Sequence, residues 1–161
     1  SSQVAGHYAG AIVGNNSVQV NGCNALDVEV SATHAAGGIA GASYGKTEYC
    51  SVSGNSHITT TGSSTRAGGI IGTSSQEGGV STSGRLLKCA VDGATISGTM
   101  AGGIAGENSF GIVAQCIANR VTVTHNSSEA STRLGGVVGY NTRGDVVASY
   151  AAYSTIGRWE A

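Results

Sequence analysis

The sequence predicts an all-β fold, a right-handed parallel β-solenoid of about five coils with roughly three short strands in each coil. A Gly-rich block recurs five times, a column of small residues follows each block, and no stretch has the roughly 3.6-residue apolar period of a helix. These three observations predict the fold. We interpret residues 1–161 as one repeat domain and expect it to be a segment of a larger protein.

The Gly-rich block is six residues long and aligns without a gap in every copy, and the copies begin near residues 9, 36, 67, 101 and 134. Successive blocks are 27, 31, 34 and 33 residues apart, which is in the range of one solenoid coil. Because stacked coils place equivalent residues side by side, we interpret the paired glycines as structural: Gly37, Gly38, Gly68, Gly69, Gly102, Gly103, Gly135 and Gly136.

A column of small residues follows the blocks and consists of Cys23, Cys50, Cys89, Cys116 and Ser149. Two residues further on, every copy has Ala or Val, which indicates alternate inward positions on one strand. We expect the cysteines to form a reduced, buried ladder, because parallel Cα–Cβ directions rarely allow disulfide geometry. Disulfides are the alternative in an exported domain.

A glycine lies five residues before this column in four copies, at Gly45, Gly84, Gly111 and Gly144. We interpret it as a turn position at which glycine supplies a positive φ. The residues ahead of it are common turn formers: Asn16, Ser43, Ser74, Asn108 and Asn141. Third strands are predicted at 58–60, 95–97 and 121–124.

The blocks resemble the GLUG repeat of bacterial surface proteins, and the closest copy is Gly135-Gly136-Val137-Val138-Gly139-Tyr140-Asn141, followed by Gly144-Asp145-Val146. The resemblance extends from about residue 9 to 151, although Ala11 and Val18 depart from the pattern in the first copy. Such arrays occur in adhesin-like proteins and in non-catalytic N-terminal regions of bacterial immunoglobulin A proteases. The resemblance therefore implies an extracellular or cell-surface segment and supplies no catalytic residue.

Composition argues against several functions. The formal net charge is −1 with eight scattered basic residues, so a nucleic-acid partner is not expected. No apolar run is long enough for membrane insertion. The nine carboxylates are dispersed, with Asp27 and Asp92 near one column but two coils apart, so we predict no enzymatic site. Neither a cofactor nor a zinc site is predicted, because phosphate-loop and C-x₂₋₄-C patterns are missing from the sequence.

One further column lies three residues before the second residue of each block, and it holds His in the first two copies and Thr in the later ones. His7 and His34 should stack on neighbouring coils, and we expect surface or corner histidines rather than a metal site. In the later copies the same column holds Thr65, Thr99 and Thr132, which we interpret as threonines of a solvent face. An ice-binding hydroxyl array is a distant alternative.

We expect binding residues in the segments that interrupt the repeat, because insertions project from the solenoid and loops often carry function. In the third copy, Gly84 lies twelve positions after Gly72, whereas the corresponding distance in other copies is four or five positions. Candidate binding residues are Ser75, Gln76, Glu77 and Gly78 there, and Asn126, Ser127 and Glu129 in a second projection, joined by Tyr8, Tyr44, Tyr140 and Tyr150 as exposed aromatics.

We therefore hypothesise a non-enzymatic, adhesin-type or spacer segment. Its partners would be flanking domains of the same protein and a host protein or glycan. End-to-end self-association is also expected, because open coil ends expose strand edges. The alternative is an accessory region of a secreted protease or glycan-active enzyme.

Overall fold

The structure is a computed structural model that describes residues 2–74, 84–125 and 131–157. These residues form 24 β-strands and no helix, and every recorded strand pair is parallel. The chain makes about four full turns followed by a partial one, close to the five coils expected. The predicted all-β parallel solenoid is confirmed.

Apart from two strands of nine and ten residues, the strands have two to five residues each, as expected for a chain that turns at every corner of a coil. In chain order they are β1 Ser2–Gly10, β2 Val13–Asn16, β3 Gln19–Asn21, β4 Asn24–Leu26, β5 Val28–Gly37, β6 Ala40–Ser43, β7 Lys46–Glu48, β8 Ser51–Ser53, β9 His57–Thr60, β10 Arg66–Gly68, β11 Ile71–Ser74, β12 Arg85–Leu87, β13 Ala90–Asp92, β14 Thr95–Ser97, β15 Met100–Gly102, β16 Ala105–Ser109, β17 Ile112–Ala114, β18 Ile117–Asn119, β19 Thr122–Thr124, β20 Arg133–Gly135, β21 Val138–Thr142, β22 Asp145–Val147, β23 Tyr150–Ala152 and β24 Thr155–Ile156.

These strands stack into four sheets. Sheet 1 is β2-β6-β11-β16-β21, sheet 2 is β3-β7-β12-β17-β22, and sheet 3 is β4-β8-β13-β18-β23. Sheet 4 has nine strands, in which β1 and β5 pair and the later coils each supply two shorter strands. Each coil thus contains more strands than the roughly three expected, because two sharp corners divide the segment around the Cys column.

Those two corners use left-handed backbone. The residue before each member of the Cys column has a positive φ: Gly22 (64°), Tyr49 (55°), Lys88 (52°), Gln115 (54°) and Ala148 (48°). The corner between sheets 3 and 4 repeats this at Asp27, Gly54, Gly93, Arg120 and Tyr153. The Cys column therefore lies at a corner, just before the sheet 3 strand, and not within a strand.

The prediction of positive φ at Gly45, Gly84, Gly111 and Gly144 is wrong, because none of the four has a left-handed backbone. These glycines are required by crowding instead. A Cβ on Gly45 would lie 2.3 Å from the Val18 carbonyl oxygen, and one on Gly84 would lie 2.3 Å from Ser74 Oγ.

The Gly-Gly block folds into the interior and packs against sheet 3. A Cβ on Gly69 would lie 2.2 Å from the Gly103 carbonyl oxygen of the next coil and 2.7 Å from Val91 Cγ2. The isoleucines that follow the glycine pair, Ile39, Ile70 and Ile104, are fully buried. The constant block thus meets the Ala or Val residue two positions after the Cys column inside the coil, which keeps the core thin.

The core consists of rows in which each residue stacks on its equivalent in the next coil. In sheet 4 the row Val30, Ile58, Ile96 and Val123 is fully buried. The last described coil exposes such rows. Ile156, which pairs with Val123, is 44% exposed, and Val146, which pairs with Val113 in sheet 2, is 41% exposed. Within the described residues, the last coil therefore leaves these core rows exposed. Among the described residues no helix is long and apolar enough to cross a membrane.

Candidate functional site

The seven loop residues proposed for binding lie outside the residues that the structure describes. They are Ser75, Gln76, Glu77, Gly78, Asn126, Ser127 and Glu129. Their role stays a prediction. Of the four tyrosines expected to be exposed, Tyr8 and Tyr150 are exposed by 36% and 54%, whereas Tyr44 and Tyr140 are half-buried.

The Cys column closes the corner between sheets 2 and 3. All four cysteines are free; Cys23 is half-buried and the other three are buried. Each thiol donates to the carbonyl two residues earlier, for example Cys50 to Glu48 at 3.3 Å and Cys116 to Ala114 at 3.3 Å. Ser149 makes the same bond to Val147 at 3.0 Å, which explains how serine replaces cysteine in the last coil.

The Cys89 thiol, in the middle of the column, is buried and held in its protonated form. Hydrogen bonds with the thiols of Cys116 and Cys50, followed by burial, raise the pKa of the Cys89 thiol above its ordinary value. Within residues 2–74, 84–125 and 131–157, no three His, Cys, Asp or Glu side chains form a group that could hold a metal ion. The column acts as packing that also satisfies corner carbonyls.

The predicted turn formers make a buried polar ladder along sheet 1. Asn16 Nδ2 donates to Ser43 Oγ at 3.1 Å and to the Lys46 carbonyl at 2.9 Å. Asn108, which is fully buried, donates to the Gly111 carbonyl at 3.1 Å and to Asn141 Oδ1 at 2.9 Å. The amide donors of Asn16 and Asn108 therefore join neighbouring coils, whereas Ser74 Oγ and Asn108 Oδ1 are buried and make no hydrogen bond within the described residues.

The interpretation of the Thr65 column as a solvent face is wrong. Thr65 and Thr99 are buried, at 0% and 2% exposure, and their hydroxyl oxygens are 3.3 Å apart. Thr60 Oγ1 also donates to Thr65 Oγ1 at 2.7 Å. Thr65 and Thr99 each lie between the two short strands that their coil supplies to sheet 4, whereas Thr132 is half-buried.

A different hydroxyl array lies on the outer face of sheet 4. One row is Thr95, Thr122 and Thr155, and a second is Ser31, Thr59, Ser97 and Thr124. Thr59 donates to the Val30 carbonyl at 3.5 Å. The other six hydroxyls make no side-chain hydrogen bond within the described part of the chain.

The second polar surface lies beside the Gly-rich blocks, and it begins with three stacked rings. His7 and His34 stack with centroids 4.9 Å apart at 18°, so the predicted contact between these histidines is confirmed. Tyr8 meets both rings edge-on, at 4.9 and 5.1 Å. His7 Nδ1 also lies 3.1 Å from Thr33 Oγ1.

An arginine connects these rings to the later coils. Arg66 Nη1 donates to His34 Nε2 at 3.2 Å, and Arg66 Nε donates to Glu107 Oε2 at 2.6 Å. Since arginine can only donate, His34 Nε2 accepts and the ring proton lies on Nδ1. Burial, followed by the charges of Arg66 and His7, lowers the pKa of His34 below its ordinary value, although Glu107 opposes this.

The last coil continues the same surface with a second ring. The Arg133 guanidinium lies over the Tyr140 ring, 4.2 Å from its centroid. Tyr140 is in register with Glu107 in sheet 1, and Arg133 is in register with Met100, which pairs with Arg66 in sheet 4. Seven side chains thus form one line parallel to the coil axis, called the axial strip here: His7, Tyr8, His34, Arg66, Glu107, Arg133 and Tyr140.

Sequence reasoning found only the beginning of this strip. It stacked His7 on His34 and noted Tyr8 and Tyr140, but it missed the two arginines. Arg66 and Glu107 are 41 residues apart, and unequal coil lengths hide their alignment. Comparison with protein-family models, curated proteins and solved structures finds no match. The resemblance to GLUG repeats stays a prediction.

Proposed function

We propose that this chain is a non-enzymatic solenoid segment of an extracellular bacterial surface or secreted protein. It spaces the flanking domains and presents one side to a host protein or glycan. One observation supports this proposal most: the residues that recur in the repeat contact other parts of the solenoid. The Gly pairs, the Cys column and the Asn ladder all make contacts that hold the coils together. Recognition of a partner therefore falls to the outer surfaces.

The exposed core rows of the last described coil support end-to-end association. Ile156 and Val146 are half-exposed in the last described coil, whereas Val123 and Val113 in the same rows are fully buried. Stacking a further coil on this end would bury them. A second copy of the chain stacked on this end would give the end-to-end association expected of the segment.

The carboxylates argue for a non-catalytic role, because several are held in ion pairs. Glu107 pairs with Arg66, Asp92 with Arg120, and Glu48 with Arg85 at 3.7 Å. Asp92 is in register with Leu26 of the coil two steps away, and Asp27 is the next residue after Leu26. The carboxylates of Asp92 and Asp27 are therefore too far apart to act as a catalytic pair. The alternative role, an accessory region of a secreted protease or glycan-active enzyme, is equally non-catalytic for this chain.

A direct experiment combines a hydrolysis assay with a binding assay. The purified chain is incubated with host glycoproteins and polysaccharides, and both released products and retained ligand are measured. We expect retention without product. Hydrolysis or elimination that survives purification and disappears in a folded Glu107→Gln variant would contradict the proposal. A protease or glycosidase domain next to this segment in the full-length protein would select the accessory role.

Ice binding is a second candidate, supported by the hydroxyl rows of sheet 4. Rows of unpaired hydroxyls at the regular spacing of coils, about 4.8 Å, can order a layer of water. Glu29 and His57 interrupt one row in the earlier coils. A thermal-hysteresis measurement tests it: hysteresis that is lost in Thr122→Lys but kept in Ser53→Lys, on the outer face of sheet 3, would support this role, and zero hysteresis ends it.

A further inference from the structure

We infer that the axial strip binds a linear acidic glycan that lies along the coil axis, with a sugar carboxylate on Arg133 and a sugar ring at the His7–Tyr8–His34 cluster. This inference rests on the proposed surface function and names its ligand class. It moves the recognition surface from the projecting loops to a line of side chains held by strands.

Arg133 is the group that selects a negative charge. Its guanidinium makes no hydrogen bond or ion pair within the described part of the chain, and the residue is exposed on β20. Stacking on the Tyr140 ring at 4.2 Å restricts the guanidinium plane and leaves its N–H edge free. A fixed planar guanidinium suits a carboxylate, which it can bind through two parallel hydrogen bonds.

The middle of the strip is the Arg66–Glu107 ion pair, whose net charge is zero. Arg66 and Glu107 are mostly buried, with 22% and 13% of their side-chain surfaces exposed. Arg66 is also tied to the Ser64 carbonyl at 2.8 Å, and Glu107 accepts from Ser109 Oγ at 2.9 Å. The pair therefore offers fixed donors and acceptors to sugar hydroxyls, while its two charges cancel.

The other end offers aromatic surface. The faces of His7 and Tyr8 suit the apolar C–H face of a sugar ring, and the two residues are exposed. His34 is half-buried beneath them and is held by Arg66. The ends of the strip are four coil steps apart, from Tyr8 through Ala35, Arg66 and Met100 to Arg133. This corresponds to about 19 Å, which requires an extended ligand.

A glycan fits this surface better than a protein does. The positions between the charged groups are small or covered, with Ala35 and Ala42 fully buried and Met100 at 6% exposure. Of the exposed large apolar side chains in the described part of the chain, only Tyr8 belongs to the strip. A protein interface needs a buried apolar centre, which this line does not supply. The unpaired charge of the strip is positive, so a negative ligand is complementary.

The test uses hyaluronan and polygalacturonate oligosaccharides as probes, together with their carboxyl-reduced forms as neutral ligands of the same length. Binding to the full chain is measured by isothermal titration calorimetry at low and high salt. We expect the acidic forms to bind, the reduced forms to bind about tenfold more weakly or worse, and salt to weaken binding. Failure of both acidic probes to bind, or equal binding of their reduced forms, would overturn the inference.

Two variants locate the site. Arg133→Gln removes the proposed carboxylate contact, and Arg143→Gln is its matched control, because Arg143 also lies over a ring, 5.4 Å from the centroid of Phe110, but outside the strip. We expect about a tenfold loss in Arg133→Gln and little change in Arg143→Gln. Equal losses would indicate general charge attraction and contradict the strip. Tyr8→Ala should also weaken binding, with circular dichroism confirming that each variant folds.

The binding experiments distinguish a wrong ligand site from a wrong overall function. If the chain retains host glycoproteins but Arg133→Gln and Tyr8→Ala retain them equally, the surface role stands and the strip is overturned. If the chain instead cleaves the acidic probe, the non-catalytic role itself is contradicted.

Discussion

Gly38 lies so close to Val52 that a Cβ on the glycine would be 2.6 Å from Val52 Cγ2. The same relationship recurs between Gly69 and Val91 and between Gly103 and Ala118. The second glycine of each block and the residue two positions after the Cys column are therefore two sides of one contact across the coil. Neither side can grow without moving the other, which accounts for the small residues in both columns.

The close contact predicts that Gly69→Ala is strongly destabilising. Its Cβ would lie 2.2 Å from the Gly103 carbonyl oxygen, and that backbone cannot move without disturbing the next coil. We expect a loss of about 1–3 kcal/mol or more in urea unfolding. Gly157→Ala is the matched control, because no atom lies within 4 Å of its Cβ position. Equal effects of the two substitutions would contradict this packing.

The left-handed corners predict a stabilising glycine. Gln115 has φ of 54° and is exposed, so Gln115→Gly removes backbone strain without removing a packed side chain. Relief of about 1–2 kcal/mol of strain exceeds the entropic cost of glycine, about 0.5–1 kcal/mol. We expect a higher urea midpoint. Ala114→Gly, one residue earlier within β17, should lower it. A decrease in both variants would exclude the left-handed corner.

Thiol reactivity should follow the structure of the Cys column. Cys23 is the only half-buried member and should react first with a thiol reagent. Cys89 should be protected until unfolding, because it is buried and its thiol pKa is raised. Mass spectrometry after timed labelling gives the order. Labelling of Cys89 at the rate of Cys23 in the folded chain would show that the column is not interior.

The lowered pKa of His34 predicts a loss of stability at acidic pH. Between the folded pKa and the unfolded value of 6.5, the unfolded chain binds more protons. The contribution is therefore fully present above 6.5 and is lost as the pH falls through this window. Urea unfolding at several pH values measures it. His34→Gln, which keeps an acceptor for Arg66, should reduce the loss, whereas His57→Gln should not; identical pH profiles of all three proteins would contradict the assignment.

The fold could be predicted because equivalent positions of the stacked coils need similar residues, and this pattern recurs five times in the sequence. The Gly pair recurs in four copies and the Cys column in four, with Ser149 in the fifth, so both could be aligned from the sequence. The corners could not be predicted in the same way, because left-handed backbone is adopted there by residues as different as Tyr49, Lys88 and Gln115. Glycine was expected to mark the turn, yet Gly84 is explained by crowding against Ser74.

The axial strip was out of reach of sequence reasoning for a different reason. Arg66 meets Glu107 across the corner between sheets 4 and 1, in the next coil, so the contact depends on the lengths of the intervening insertions. Thr65 illustrates the same difficulty, since its column was correctly aligned with Thr99 but assigned to the wrong side of the coil. Alignment identifies which residues stack, whereas the corners decide which way they point.

If in-register stacking builds the axial strip, Arg66 and Glu107 are energetically coupled, and a double-mutant cycle between them measures this coupling. The free energy of unfolding is measured for the wild type, Arg66→Gln, Glu107→Gln and the double variant. A half-buried pair 2.6 Å apart should give a favourable coupling energy of about 0.5–1 kcal/mol or more. A coupling energy indistinguishable from zero would contradict the register and the strip together.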